Sequence, residues 1–261
     1  MKSNIKNSLK VSIITVVFNG EKYLEQTIRS VINQTYNNIE YIIIDGGSTD
    51  KTIDIVNKYK EHVSYFVSEP DDGLYDAMNK GIVVATGEII GIVNSDDWYE
   101  LNAVEYMVNA YKKNPEKRIF HGDVMHIFSD EYKKLRKFNP SEFRFKYYAV
   151  TYEHPTFFVV DAEYKEHLYN TKLKVLSDYQ FMLEAFLKNK NKFYYLPQTI
   201  SNFRIGGESA KISLLSRLRE GFIARKNAGM KLYQNIFSYV VRFMMISLYS
   251  VVQSTKKLLR P

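Results

Sequence analysis

Residues 11–50 read VSIITVVFNGEKYLEQTIRSVINQTYNNIEYIIIDGGSTD. The first eight residues form a β-branched run without a break, which is typical of a strand covered on both faces. Leu24, Ile28 and Val31 then recur at the spacing of one helix face. A second apolar run, 39–44, ends in a turn-forming DGGSTD. This stretch therefore predicts a strand, a helix and a second strand in succession.

The same alternation continues through the next forty residues. The sequence predicts a third strand at 63–67, a helix at 75–85 and a fourth strand at 88–93. Strands that alternate with helices indicate an α/β fold with a Rossmann-like, mostly parallel sheet and helices on both faces. Right-handed crossovers follow from that arrangement.

The later residues are less regular. We expect a hairpin at 118–128 and 132–138, a strand at 156–160, a helix at 178–187, and two short strands in KFYYL and ISNFR. Gly206 and Gly207 mark a boundary before the C-terminal tail. The predicted organisation is a catalytic domain at 1–210, with halves at 10–98 and 99–210, followed by a helical tail at 211–261.

Composition sets limits on the class of protein. The chain has 261 residues, 45% of them hydrophobic, which is enough for one large or two small cores. It contains no cysteine, which excludes disulfides and Cys-ligated zinc. The start, MKSNIKNSLK, lacks an apolar segment, so we expect no signal peptide.

Charge is concentrated in the tail. Residues 211–261 contain ten Lys and Arg and one acid, Glu220, so their net charge is +9. The whole chain carries +7, so the other 210 residues have a net charge of −2. Residues 236–252 are apolar but number only 17, with Arg242 inside, and a charge in mid-bilayer is costly. The pattern favours an amphipathic helix lying in a membrane surface. A helix packed on the body or in a dimer interface is the alternative.

Polar clusters follow three of the predicted strands, at 19–21, 45–50 and 94–97. Ligands of such sheets bind at the carboxyl ends of the strands, so we expect the clusters to converge. Dinucleotide-binding GxGxxG and the P-loop pattern are absent. The adjacent Asp96 and Asp97 would repel each other unless a cation compensates, and Mg²⁺ or Mn²⁺ with a nucleotide diphosphate fits hard oxygen ligands.

Residues 11–52 and the stretch SEPDDGLYDAMNKGIVVATGEIIGIVNSDDWY (68–99) closely resemble the family 2 glycosyltransferases with a GT-A fold, including bacterial O-antigen and surface-polysaccharide enzymes. The resemblance is strong from about residue 10 to 100. It continues weakly through HPTFF, SDYQFML and FRIGGES. It implies a nucleotide-sugar half at 10–98 and an acceptor half at 99–210.

The resemblance also implies residue roles in the donor site. Asp45 would hydrogen-bond uracil, and Asp96 would be the metal ligand of a DxD-like motif. That motif begins here with Asn94 instead of Asp, which lowers the expected metal affinity. The other implied nucleotide-binding residues are Val16, Val17, Phe18, Asn19, Glu21, Gly46, Asp72, Asn79, Lys80, Asn94 and Ser95.

Asp178 matches the position of the family's catalytic base, which deprotonates the acceptor hydroxyl. Its alternative role is to open the helix that follows Ser177. Asp97 is either a sugar contact or the N-cap of a helix at 98–113. Further contacts to donor or acceptor are expected from Trp98, His154 and Arg204.

The resulting prediction is a metal-dependent inverting glycosyltransferase of the hexosyltransferase class. It would transfer a hexose or N-acetylhexosamine from a UDP-sugar to an acceptor, such as a polyprenyl-diphosphate-linked saccharide. We expect a peripheral protein on the inner face of the bacterial cytoplasmic membrane, a monomer or a homodimer, with no nucleic-acid partner. The alternatives are a sugar nucleotidyltransferase, a basic nucleic-acid-binding protein and an inactive sugar-nucleotide binder.

Overall fold

The computed structural model describes residues 8–207 and 212–258, with only the backbone described for 246–258. The first half contains β1 (Val11–Val17), α1 (Leu24–Ile32), β2 (Ile39–Asp45), α2 (Thr52–Lys58), β3 (Tyr65–Ser68), α3 (Leu74–Val84) and β4 (Ile89–Asn94). The second half contains β5 (Trp98–Tyr99), α4 (Ala103–Lys113), β6 (Ile119–Ile127), β7 (Lys133–Arg136), β8 (Phe158–Val160), α5 (Asp161–Glu166), α6 (Ser177–Asn189), β9 (Phe193–Arg204), α7 (Leu214–Asn227) and α8 (Leu232–Leu258).

The described strands form one sheet in the order β3-β2-β1-β4-β8-β6-β9-β5, with β7 beside β6. The four strands of the first half are parallel, which confirms the predicted α/β architecture. The sheet becomes mixed beyond β4, because β8 pairs antiparallel with both β4 and β6. The second half thus extends the nucleotide half rather than forming a separate layer.

Two apolar cores cover the two faces of the sheet. Alternate residues of β1 point to opposite faces, so Ile14 packs with α3 and α6 whereas Ile13 packs with α1 and α4. All seven side chains of β1 are buried. The unbroken apolar run at 11–17 is therefore explained by helices on both sides.

The structure corrects two details of the second half. KFYYL and ISNFR belong to one strand, β9, because irregular pairing with β6 around Gly122 accommodates Pro197 within the strand. The expected helix at 98–113 begins only at Ala103, after the short strand β5. The hairpin of β6 and β7 and the helix α6 are confirmed.

The two C-terminal helices pack on the body. Helix α7 contacts α6, and α8 contacts α7 and a π-helical turn, Arg144–Tyr148. The face of α8 turned to the body is polar: Asn235 and Ser238 are buried, and the Ser238 hydroxyl donates to the Tyr147 carbonyl at 2.8 Å. Within 8–207 and 212–258, no helix has the length and apolarity needed to cross a bilayer.

Candidate active site

Strand register brings the three polar clusters to one edge of the sheet. Val17 of β1 lies opposite Asp45 of β2, and Val16 lies opposite Asn94 of β4. Asp45 in turn faces Ser68 at the end of β3. Residues as far apart in sequence as Val16 and Asn94 therefore lie at neighbouring strand ends, as predicted from the rule for parallel sheets.

Hydrogen bonds join the loop after β1 to the loop after β2. Asn19 takes a left-handed backbone conformation (φ 49°), its amide donates to Ser48 Oγ at 2.7 Å, and its Oδ1 accepts from the Thr49 amide at 2.9 Å. Glu21 accepts from the Lys51 amide at 3.2 Å. These bonds hold the predicted base-binding loops in a fixed position relative to each other.

Asp45 is completely buried and fully hydrogen-bonded. Its carboxylate accepts from the Ser48 amide at 3.0 Å and from the Ser68 hydroxyl at 2.6 Å, and also from the Ser48 hydroxyl. These hydrogen bonds satisfy both oxygens of the buried carboxyl group. The two serines thus orient the carboxylate predicted to meet the base.

The loop before α3 rests on the glycine after β2. A Cβ at Gly46 would lie 2.4 Å from Oδ2 of Asp71, so a side chain at this position would displace the Asp71 carboxylate. The neighbouring Asp72, which the sequence predicts to contact the nucleotide, is exposed, and Asp71 was not among the predicted residues. The two aspartates are adjacent in sequence, and only the contact with Gly46 distinguishes them. Lys80 fixes the same loop, because its ammonium donates to the Pro70 carbonyl at 3.1 Å.

The turn after β4 is held from beneath by α1. The buried Thr27 hydroxyl lies 2.9 Å from the Ser95 carbonyl oxygen and 2.6 Å from the Asp97 carbonyl oxygen. The side chain of Asp97 is buried, and its Oδ1 accepts from the Arg204 amide at 2.9 Å. Burial, followed by the charge of Asp96, raises the pKa of Asp97 well above its usual range. Asp97 therefore joins β9 to the turn and does not cap a helix.

Arg204 covers this turn from the other side. Its guanidinium lies 4.1 Å from the centroid of the Tyr23 ring and 4.7 Å from that of the Trp98 ring, both in cation–π geometry. It also donates to the side chain of Gln26. The Cβ position of Gly207, three residues further on, lies 3.2 Å from Asp96 Oδ2. Trp98 and Arg204 thus stand beside the predicted metal ligand.

The side-chain oxygen atoms of this turn are suitable ligands for a hard divalent cation. Oδ1 of Asn94 and Oδ2 of Asp97 are buried and accept no hydrogen bond from any described residue. No group of three or more His, Cys, Asp or Glu side chains within 8–207 and 212–258 could hold an ion by itself. An ion at Asp96 would therefore take its remaining oxygen ligands from a diphosphate and water, as Mg²⁺ commonly does.

Asp178 lies at the second residue of α6. Its Oδ1 accepts from the Tyr75 hydroxyl at 3.0 Å and from the Tyr179 amide at 2.8 Å. Burial raises the pKa of Asp178, while His154 and these hydrogen bonds oppose the shift. The N-cap of α6 is Leu176, without a side-chain cap. Asp178 therefore accepts from one backbone amide in the first turn of α6 through Oδ1, but it is not the N-cap of this helix.

His154 and Asn79 support the surroundings of Asp178. His154 Nε2 lies 2.9 Å from the Tyr169 hydroxyl, and burial lowers its pKa while the charge of Asp178 opposes this. Asn79 donates to the Tyr169 carbonyl and accepts from its amide, both at 2.9 Å. Both polar ends of the Asn79 side chain are thus engaged between α3 and the chain before α6.

The remaining predicted nucleotide residues differ in what they present. The side chains of Val16 and Val17 lie in the two cores, so a ligand would meet only their backbone. Phe18 is 64% exposed, and Ser95 is partly exposed beside Asp96. The structure thus gathers the predicted residues at one edge of the sheet, but not all of them by their side chains.

Comparison with known proteins identifies the family and the fold. The family model described as "Glycosyl transferase family 2" matches residues 12–168. The glycosyltransferase GlyA of Streptococcus pneumoniae serotype 4 is 27% identical over 264 residues, covering 88% of this chain and 36% of GlyA. The chain spans less than half the length of the curated relatives it matches.

Two solved structures share the fold. S. aureus TarS in complex with UDP-GlcNAc superposes with a TM-score of 0.69 at 17% identity, covering 87% of this chain and 69% of TarS. The mannosyltransferase PcManGT from Pyrobaculum calidifontis, in complex with GDP-Man and Mn²⁺, gives 0.63 at 15% identity, covering 90% of this chain and 70% of that one. The predicted GT-A fold is confirmed.

The support beneath the Asn94–Asp97 turn gives a test. Thr27→Val removes the hydroxyl that bridges two carbonyls in a buried place, and we expect a loss of about 1–3 kcal/mol in the free energy of unfolding. Urea titration measures this loss. Thr35→Val is the control, because its hydroxyl meets Glu105 at an exposed position, so a change below about 0.5 kcal/mol is expected. Equal effects at both positions would contradict the supporting role of Thr27.

Proposed function

Because the chain belongs to glycosyl transferase family 2, we propose that it transfers a hexose or N-acetylhexosamine from a UDP-sugar to an acceptor hydroxyl with inversion at the anomeric carbon. The observation that carries the proposal is the position of Asp178. Its partner Tyr75 belongs to α3, the helix whose preceding loop rests on Gly46. A carboxylate in the acceptor half is thereby tied to the nucleotide loops.

In the proposed reaction Asp178 is the general base. It accepts the proton of the acceptor hydroxyl as that oxygen forms a bond to the anomeric carbon. The bond from this carbon to the diphosphate breaks, and UDP leaves with the electron pair. A base with a raised pKa suits this step, because it binds a proton more readily than an ordinary aspartate.

The donor is held by residues at the strand ends. The uracil edge binds beside Asp45, whose buried carboxyl group is held by Ser48 and Ser68. The loop at Asn19–Glu21 lines the ribose, and Asp96 faces the diphosphate. Charge neutralisation of the departing diphosphate is the chemistry that Mn²⁺ or Mg²⁺ supplies when bound at Asp96. UDP is favoured as the nucleotide because TarS has the same fold and was solved with UDP-GlcNAc; PcManGT, solved with GDP-Man, makes GDP the necessary comparison.

Titration of UDP into the protein tests the donor site. We expect saturable binding with Mn²⁺, and a loss of about tenfold or more with EDTA or with Asp96→Ala, because a charged ligand contact is removed. GDP should bind more weakly than UDP. Asp54→Ala, an exposed acid on α2, is the matched control and should bind UDP like the wild type. Equal weak binding in all samples would refute the metal–diphosphate site.

The Tyr75–Asp178 hydrogen bond predicts a shift in the pH profile. Tyr75 donates to the ionised carboxylate and so lowers the pKa of Asp178. Tyr75→Phe should therefore raise this pKa, and the acidic limb of kcat/KM should move to higher pH. The acidic limb is measured from the rate of UDP release across a range of pH. The sugar nucleotide used is one that the binding experiments identify as a donor.

Tyr41→Phe is the control for this profile, because its buried hydroxyl lies 3.0 Å from the Thr15 hydroxyl and does not interact with Asp178. We expect its acidic limb to stay at the wild-type position. Asp178→Asn should lower kcat by about 10²- to 10⁴-fold, the usual contribution of a general base. An unmoved limb in Tyr75→Phe would argue against Asp178 as the titrating base.

The proposed acceptor is a polyprenyl-diphosphate-linked saccharide at the inner face of the bacterial cytoplasmic membrane, in surface-polysaccharide synthesis. Helix α8 supports this, because its outer face is apolar: Ile236, Val240 and Met244 are between 46% and 56% exposed. An apolar outer face on a basic helix is the pattern of a helix lying in a membrane surface.

Acidic substitutions on that face test the membrane proposal. Val240→Glu with Met244→Glu should abolish sedimentation with anionic vesicles, because two charges would enter the acyl region. Val83→Glu, 61% exposed on α3, is the matched control and should sediment like the wild type. Undiminished sedimentation of the double variant would rule out α8 as the membrane contact, and a change from dimer to monomer by light scattering would assign the face to a dimer interface instead.

A further inference from the structure

Two arginines meet inside the body beneath α8. Arg225 of α7 is completely buried, and Arg242 of α8 is only partly exposed. Their guanidiniums are close enough that the charge of Arg242 lowers the pKa of Arg225, after burial as the main cause, to about 10. Arg225 therefore stays cationic at neutral pH, and a second guanidinium lies beside it.

Few of their hydrogen-bond donors have partners. Nε of Arg225 donates to Asn235 Oδ1 at 2.8 Å. Nη1 and Nη2 of Arg225, and Nε and Nη2 of Arg242, are buried without an acceptor among the described residues. Each buried donor left unpaired costs about 1–3 kcal/mol. Four such atoms on two adjacent cations indicate a missing acceptor rather than a satisfied structural pair.

No carboxylate of the described chain compensates these charges. Neither arginine takes part in an ion pair within 8–207 and 212–258, and residues 221–261 contain no Asp or Glu at all. The nearest acid in sequence, Glu220, accepts from the amides of Lys174 and Val175, both at 3.0 Å. Water could satisfy the donors but not the charge, and a buried unpaired charge is costly.

The guanidinium nitrogens that lack an acceptor lie near the side chain of Tyr179. Arg242 lies 5.4 Å from the centroid of the Tyr179 ring, in cation–π geometry. The Tyr179 hydroxyl donates to the carbonyls of Phe145 and Lys146, at 3.1 and 3.2 Å, and its oxygen can still accept from the two guanidiniums, but a neutral hydroxyl does not compensate their charge. Because Arg242 is partly exposed, an anion can reach the pair from the surface beside α8.

We propose that Arg225 and Arg242 form a binding site for a phosphate or diphosphate group. Paired guanidiniums offer the forked donors that phosphate oxygens accept, which an isolated chloride or water does not match. Tyr179, whose ring Arg242 contacts, directly follows Asp178 in α6. Assigning the group to the diphosphate of a lipid-linked acceptor rests on the proposed function, whereas the anion site itself does not.

Calorimetric titration of the full chain with sodium pyrophosphate tests the site. EDTA is present so that no divalent ion holds pyrophosphate at Asp96, and ionic strength is matched with sodium chloride. We expect saturable binding by the wild type, and binding weakened about tenfold or more in Arg242→Gln, since a charged donor pair is lost. Arg219→Gln, an exposed arginine of α7, is the matched control and should bind like the wild type.

Thermal unfolding gives a second readout. Arg242→Gln without ligand should keep or raise Tm, because it relieves repulsion, and pyrophosphate should raise Tm only in the wild type and the control. If Arg242→Gln does not fold, Arg225→Lys provides the comparison, because it retains the charge but loses the fork. Absent binding by the wild type, or equal binding by Arg242→Gln, would overturn the proposal.

Vesicles distinguish the sources of the phosphate. Phosphatidylcholine vesicles carrying a polyprenyl phosphate are compared with vesicles carrying an equal charge of phosphatidylglycerol. Preference for the polyprenyl phosphate, lost in Arg242→Gln, would assign the site to a lipid headgroup. Equal binding to both, with pyrophosphate binding retained, would assign it to a free anion. None of these measurements needs turnover, so failure of glycosyl transfer would leave the result intact.

Discussion

The pairing of β1 with β2 and β4 is the constraint on which the site depends. Val17 lies opposite Asp45, and Val16 lies opposite Asn94. The loops after these three strands therefore begin side by side at the same edge of the sheet. Shifting either neighbour by one residue would reverse every side chain between the two cores. The burial of β1 on both faces therefore fixes the register, and the register fixes the relative position of the predicted base-binding and metal-binding loops.

Helix α3 connects this edge to the acceptor half. The loop before it rests on Gly46, Lys80 holds that loop, and Asn79 binds the backbone of Tyr169. Tyr75 then reaches Asp178. A motif that reads in sequence as a donor-facing segment thus also positions the proposed base. This double role explains why few side chains of α3 remain for direct contact with a ligand.

The C-terminal helix reverses the usual arrangement of an amphipathic helix. Its body-facing side is polar, with Asn235 and Ser238 buried, whereas Val240 and Met244 face outward. Arg242, the charged residue within the apolar run 236–252, lies beside Arg225 and the ring of Tyr179. Membrane contact on one face and an anion site on the other would account for both features.

The sequence by itself determined the alternation of strands and helices, the convergence of three polar clusters and the family, because these follow from local periodicity and from the motifs of residues 11–99. Through its resemblance to the family, the sequence also predicted Asp178 as the catalytic base. It did not distinguish Asp71 from Asp72 or show that β5 precedes α4 after Asp97. Tertiary structure decided these, because they depend on contacts with Gly46 and on pairing with β9. The two arginines lie 17 residues apart in the consecutive helices α7 and α8, and only the packing of α8 against α7 places their charges together.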